Sequence, residues 1–169
     1  MIRKKIGLFF GSFNPIHYGH IGLAGYFVDN NYVDEVWFVV SPQNPFKSPE
    51  LLSDANERVK TVSQALEKYP YFKVCDIELT MPVPSYTIDT LNKLSTQYND
   101  NEFIILMGSD QLPNFKKWKE WETIANNYKI FVYPRNSYPA TELLPSMTFF
   151  NDGKLFNISS TEIRKCQKK

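Results

Sequence analysis

This 169-residue chain has only two histidines, two cysteines and seven glycines, and its charges nearly cancel, 19 Lys and Arg against 18 Asp and Glu. Each scarcity removes a class of function. Cys75 and Cys166 stand far apart with no C-x-x-C or zinc-like spacing, which argues against a disulfide scaffold or a zinc ribbon and suits a reducing compartment. A formal net charge of +1 gives no overall field to attract nucleic acid or an anionic membrane, so any anion site must be local. Long apolar runs are missing as well. The stretch Ile6 to Phe10 behind Arg3-Lys4-Lys5 is too short for a secretory signal, and no other segment approaches transmembrane length. The reading is a soluble, cytoplasmic protein of one domain, 1–169, with 43% hydrophobic residues to fill its core.

What is scarce is also concentrated. Both histidines fall in Gly11-Ser12-Phe13-Asn14-Pro15-Ile16-His17-Tyr18-Gly19-His20, directly after the apolar run. That run reads as a buried strand; Gly11 breaks it, Asn14-Pro15 turns it, and a helical pattern begins near Tyr18. Ile21, Ala24, Phe27 and Val28 give this helix one apolar face, and Asp29-Asn30-Asn31 ends it. The histidines therefore sit where a strand hands over to a helix, whose unpaired N–H groups and positive dipole end suit an anion. Three residues apart, His17 and His20 share one face of the first turn and can reach the same polyphosphate.

Further along, Val36 to Val40 is apolar at every position, as expected of a parallel strand covered on both sides. The loop Ser41 to Pro49 follows, with Lys47 near its far end. Ser53 or Asp54 is expected to cap a helix running toward Tyr69, with Val59, Val62 and Leu66 inward and Pro70 as its stop. Tyr71 to Cys75 reads as a short strand, and Ser85 as the cap of a helix from Tyr86 to about Tyr98 with Ile88, Leu91 and Leu94 inward. Phe103 to Met107 is a buried strand that runs into Gly108-Ser109-Asp110, repeating a glycine at a strand end. Phe115, Trp118 and Trp121 at helical spacing read as packing inward, with Lys116, Lys117 and Lys119 outward. Tyr128 to Tyr133 and Met147 to Phe150 complete the strands, and Arg135 is another basic group at a strand end.

Alternating strands and helices of this kind predict an α/β fold with a Rossmann-like, doubly wound parallel sheet, whose ligand crevice lies at the C-terminal strand ends. Near the end of the chain, Ser159, Ser160 and Thr161 offer hydroxyls at a helix start, and Arg164 supplies a fixed-charge fork one turn on.

The string Gly11 to His20 resembles the G-x-F-x-P-x-H-x-G-H signature of the nucleotidyltransferase superfamily, and Ile158-Ser159-Ser160-Thr161-Glu162-Ile163-Arg164 resembles its I-S-S-T-x-I-R signature. Three further strings narrow the resemblance to the nicotinate-nucleotide adenylyltransferase family: Ser85-Tyr86-Thr87-Ile88-Asp89-Thr90-Leu91, Gly108-Ser109-Asp110-Gln111 followed by Trp118, and the basic end of Pro45-Phe46-Lys47. The resemblance implies the HUP-type nucleotidyltransferase fold and transfer of AMP from ATP to nicotinate mononucleotide, a step of NAD synthesis.

It further implies that His17 and His20 contact the ATP phosphates and carry the catalysis. Gly11, Ser12 and Phe13 would line the adenylate side, Gly108 and Asp110 would hold the adenosine end, and Ile158, Ser159, Ser160, Thr161 and Arg164 would bind the outer phosphates. Lys47 and Arg135 would face the mononucleotide phosphate, backbone N–H groups of Tyr86 and Thr87 the nicotinate carboxylate, and Trp118 would stack on the pyridine ring. Mg²⁺ is implied with ATP, held mainly by phosphates, with no protein metal ligand assigned. The expected partners are these small molecules, with no nucleic acid and no membrane, and a homo-oligomer is left open. Two departures stand out: Phe46 occupies a position where the family usually has histidine, and the family usually continues beyond the last arginine for a further helix.

The residue inventory agrees with this chemistry from below. No Ser-His-Asp or Cys-His set occurs in a plausible order, whereas donors and cations are plentiful. A phosphate nucleophile is already an anion, so it needs positioning and charge stabilisation rather than a general base. Phosphopantetheine adenylyltransferase, which shares both phosphate signatures, and a non-catalytic nucleotide-binding module are the competing readings.

Overall fold

The computed structural model describes residues 3–13, 16, 18–42, 55–82, 85–135 and 143–150. Six parallel strands form one sheet: β1 (Lys4–Gly11), β2 (Glu35–Val40), β3 (Phe72–Cys75), β4 (Asn101–Gly108), β5 (Lys129–Tyr133) and β6 (Met147–Phe149), in the order β3-β2-β1-β4-β5-β6. Helices α1 (Tyr18–Asp29), α2 (Ala55–Leu66), α3 (Thr87–Gln97) and α4 (Trp121–Asn127) connect them. This is the doubly wound order expected, with its switch point between β1 and β4.

Two-residue alternation along the strands decides which helices each face receives. Phe9, Val36, Phe38, Val40, Ile104 and Leu106 point to one side, where they pack with Leu23, Ala24 and Phe27 of α1 and Val62 and Leu66 of α2. Ile6, Leu8, Trp37, Val39, Ile105 and Met107 point to the other and meet Ile88, Leu91 and Leu94 of α3 and Ile124 of α4. Because both faces are covered, every residue of β2 is buried, including Glu35. At the N-terminal end of the sheet Glu35 accepts from Trp37 Nε1 (3.0 Å) and Lys4 Nζ (3.0 Å), with Lys73 Nζ at 3.4 Å.

Several local expectations change. Leu23 is a fully inward residue of α1, while Ile21 and Val28 pack at its margin only partly buried. Ser85 does not cap α3: Tyr86 holds the cap position in extended backbone with no side-chain cap bond, and Ser85 Oγ is buried without a hydrogen-bond partner among the described residues. One position too early, the Ser85 hydroxyl does not bond the open N–H groups of the first turn. Two 3-10 segments occur, Ile77–Thr80, for which the sequence carries no expectation, and Ser109–Lys117, where the aromatic spacing reads as helical. Pro113 inside the second cannot donate to a backbone ladder, which favours a short tight turn over a continuous α-helix. The expected caps Ser53 and Asp54 lie outside the described residues.

Candidate active site

The C-terminal ends of β1 and β4 part at the switch point, and the space between them is a cleft of about 160 Å³ that opens to solvent. Phe10 and Gly11 of β1 form one edge, and Leu106, Met107 and Gly108 of β4 the other. The segment before α3 brings Ser85, Tyr86 and Thr87 into the wall, and the segment after β4 brings Gln111, Lys117, Trp118 and Lys119. Five of the residues singled out in the sequence thus meet in one cavity: Gly11, Tyr86, Thr87, Gly108 and Trp118.

Trp118 combines two readings that spacing alone separated. Its ring packs on buried Phe115 (centroids 5.1 Å apart), yet it also lines the cleft, and its Nε1–H is buried with no hydrogen-bond partner among the described residues. Lys119 closes the same wall, with Nζ 5.0 Å from the centre of the Tyr86 ring and 3.5 Å from Asp89 Oδ2.

Ser12, Phe13 and His20 are not among the residues that line this cleft; Phe13 and His20 form a second group, with the Phe13 ring beside Gly11. Phe13 takes a left-handed backbone (φ 47°), a conformation a bulky residue holds only against resistance. The turn drives its ring into the core, 3% exposed, between Phe9 (5.5 Å) and Phe38 (5.4 Å). The His20 imidazole, in the first turn of α1, stands edge-on to Phe13 (5.0 Å) and Phe9 (5.7 Å). Phe13 therefore supports the histidine from below, and a Cβ on Gly11 would come within 3.2 Å of the same Phe13 ring.

Beyond β4, Gly108 is crowded from three sides. A Cβ there would collide with Asp110 Oδ1 and lie 2.9 Å from Arg135 Cγ and 3.0 Å from Tyr133 Cε2. Arg135 Nε stands 4.0 Å from Asp110 Oδ1, and the Arg135 backbone N–H donates to Ser109 Oγ (2.9 Å). These contacts join the ends of β4 and β5 into one corner of the cleft. Burial raises the Tyr133 phenol well above its ordinary range, so it stays neutral.

His17, Lys47, Ile158, Ser159, Ser160, Thr161 and Arg164 lie outside the described residues. Sequence reasoning missed three groups. Arg58 of α2, 3% exposed, donates from Nη1 to the carbonyls of Ser12 (2.8 Å) and Ser41 (2.7 Å), and from Nη2 to Pro42 (3.1 Å). Its signal was present: position 58 stands four residues before Val62 and eight before Leu66, on the buried face of α2. Glu78, 2% exposed, lines the cleft and accepts from Thr90 Oγ1 (2.8 Å); only its place between Ile77 and Leu79 hinted at burial. Lys117 and Lys119, read as outward lysines, put two cations on the cleft wall.

No group of three or more His, Cys, Asp or Glu side chains able to hold a metal occurs among the described residues. Asp110, the carboxylate of the β4–β5 corner, faces Arg135. Cys75 is a free, partly buried thiol. Burial, with the charges of Asp76 and Glu78, pushes it up to about 11 against a hydrogen bond with the Ile77 backbone. No helix among the described residues is long and apolar enough to cross a membrane.

A family model described as cytidylyltransferase-like matches residues 8–166. A Bacteroides fragilis protein named "Probable nicotinate-nucleotide adenylyltransferase" is 45% identical over 166 residues, covering 98% of this chain and 83% of the relative. One from Azobacteroides pseudotrichonymphae with the same name is 41% identical over 95% of this chain and 85% of its own length. Among solved structures, the Plasmodium falciparum nicotinic acid mononucleotide adenylyltransferase complexed with NaAD superposes with a TM-score of 0.79 over 96% of this chain and 83% of that one. At 22% identity that likeness is one of fold.

Proposed function

The chain belongs to the nicotinate-nucleotide adenylyltransferase family, and from that premise we propose how it transfers AMP from ATP to nicotinate mononucleotide, giving nicotinate adenine dinucleotide and pyrophosphate. The observation that carries the reading is the cleft at the β1–β4 switch point, where Gly11, Tyr86, Thr87, Gly108 and Trp118 meet from four separate parts of the chain.

Two anions must meet there. An oxygen of the mononucleotide phosphate attacks the α-phosphorus in line, the bond to the bridging oxygen breaks, and pyrophosphate leaves with that electron pair. No proton has to be removed from the nucleophile, so catalysis consists of holding the partners in line and stabilising charge on the α-phosphoryl and the leaving group. His17 and His20 take the phosphates at the start of α1, with His20 held in orientation by Phe13 and Phe9. Ile158, Ser159, Ser160, Thr161 and Arg164 hold the outer phosphates. Gly11, Ser12 and Phe13 form the adenylate side, and Gly108 and Asp110 the adenosine end. Lys47 and Arg135 face the mononucleotide phosphate. Backbone N–H groups of Tyr86 and Thr87 receive the nicotinate carboxylate at the open start of α3, where the dipole favours negative charge. Trp118 stacks on the pyridine ring. Mg²⁺ bound with ATP would neutralise part of the triphosphate charge, held mainly by phosphates, with no residue of this chain assigned to it.

The chain acts in this reading as one domain, 1–169, in the cytoplasm, where free cysteines are stable. Pyrophosphate release from Mg-ATP with nicotinate mononucleotide, nicotinamide mononucleotide or phosphopantetheine in turn tests the assignment. Turnover with nicotinate mononucleotide is expected; product from phosphopantetheine alone would overturn the substrate, and none from any would favour a binding module.

A further inference from the structure

Among the described residues, Glu78 is the one buried carboxylate that lines the cleft. It sits in the 3-10 turn after β3, bonded by Thr90 Oγ1 of α3 (2.8 Å) and by the Ser41 side chain at the end of β2. Thr90 Oγ1 is also 3.3 Å from the Tyr86 carbonyl, the residue at the cap of α3. A hydroxyl has a single hydrogen to donate. When Glu78 is ionised, that hydrogen points to its carboxylate. When Glu78 is protonated, the carboxyl O–H donates to Thr90, and Thr90 is released to donate to Tyr86. The charge state of one cleft carboxyl is thereby transmitted to the backbone at which α3 begins.

Other ionisable groups near Glu78 divide by sign. Cys75 and Asp76 precede it on the same segment, and both Cys75 and Glu78 are pushed up, Glu78 chiefly by burial and against the bonds from Thr90 and Ser41. Across the cleft stand the Tyr86 and Tyr133 phenols and the ammonium groups of Lys117 and Lys119. Lys119 is engaged with Asp89, and among the described residues no ion pair reaches Glu78.

We propose that Glu78, acting through Thr90 on the Tyr86–Thr87 backbone, sets the preference of the cleft for the acid over the amide form of the mononucleotide. The proposal rests on the functional reading above. A neutral carboxyl leaves the wall without negative charge and steadies the α3 entrance, so a pyridine carboxylate is admitted. An ionised Glu78 repels that carboxylate and withdraws the Thr90 bond, and it leaves an uncharged carboxamide largely unaffected. Glu78 is a positioning and specificity residue here, with no part in the phosphoryl step.

The test measures KM and kcat for nicotinate and nicotinamide mononucleotide with Mg-ATP across the pH range in which the enzyme stays folded, since burial raises the Glu78 carboxyl. The phosphate is common to both substrates, so its titration cancels in the ratio of the two KM values. For the wild type the ratio should shift toward the amide by about tenfold as pH rises, with kcat changing little. Glu78→Gln, isosteric and without charge, should keep a flat ratio. Thr90→Val should raise KM for the acid substrate severalfold, and Thr90→Ser should restore it. A Glu78→Gln ratio that tracks the wild type across the range, or Thr90→Ser no better than Thr90→Val, would overturn the proposal. The threonine pair decides alone if Glu78→Gln does not fold. Absence of wild-type turnover with nicotinate mononucleotide would instead strike the functional reading itself.

Discussion

The Arg58 guanidinium reaches the Ser12 carbonyl, 46 positions back along the chain, at 2.8 Å. With the Ser41 and Pro42 carbonyls bonded to the same group, one buried cation ties the exit of β1 to the exit of β2. Both loops leave the sheet toward the cleft, so the geometry of their first residues is set by a side chain from neither. Arg58→Ala should lower stability by about 3 kcal/mol, since buried carbonyls lose charge-assisted donors. Arg58→Lys, lacking the planar fork, should recover part of that loss. Urea unfolding with an unchanged slope and a lower midpoint checks it.

Removing the imidazole at the start of α1 should cost transition-state stabilisation rather than substrate affinity. His20→Ala is expected to lower kcat by about 10²-fold or more, with a much smaller rise in the nicotinate mononucleotide KM. Phe13→Leu keeps the histidine but removes its aromatic support, and a smaller loss in kcat is expected. Equal turnover for His20→Ala and the wild type would remove this histidine from the phosphoryl step.

A methyl group at position 108 collides first with Asp110 Oδ1, the carboxylate assigned to the adenosine end, and less closely with the Arg135 stem at Cγ, 2.9 Å away. Gly108→Ala should therefore raise the KM for ATP by about tenfold, while the KM for the mononucleotide moves less. Initial rates with each substrate varied in turn separate the two, and equal effects on both would argue against adenosine at this corner.

Two buried carboxyls should give stability opposite pH trends. Burial pushes Glu35 up, but the bonds from Trp37 and Lys4 and the charges of Lys73 and Lys4 outweigh it and hold the carboxyl below its ordinary 4.5. Its contribution is therefore present above pH 4.5 and lost as pH falls through the lower folded value. Glu78 is raised above 4.5, so its contribution is full below that pH and is lost as pH rises through the folded value. Thermal melts against pH should show Glu35→Gln less stable than wild type near neutrality, with the gap closing in acid. Glu78→Gln should gain on wild type as pH rises.

Much of this fold was legible because continuously apolar strands and helices of 7 to 12 residues follow from burial on both sheet faces. The strand-to-helix turn holding His20 was equally readable, since glycine, proline and helix-start chemistry are local. What escaped depended on contacts between distant segments. Arg58 gains its role only from the Ser12, Ser41 and Pro42 carbonyls, and Glu78 only from Thr90 and Ser41. Ser85 misled for the opposite reason: a good capping residue stands one position before the backbone turns, and the sequence does not mark that offset. Trp118 was divided between core and ligand because its ring has two faces, and the fold uses both.

The central pair of the sheet has one more meaning. β1 carries the first half of the chain, with His20, Glu78 and Tyr86 tied to its side of the order, and β4 opens the second, with Asp110, Trp118 and Arg135 following it. The cleft belongs to neither; it is the seam along which they are joined. Cut in the exposed turn at Tyr98–Asp100, each fragment would keep residues of the site but only one wall of it. Neither half alone closes the cleft, so the chemistry is a property of the join.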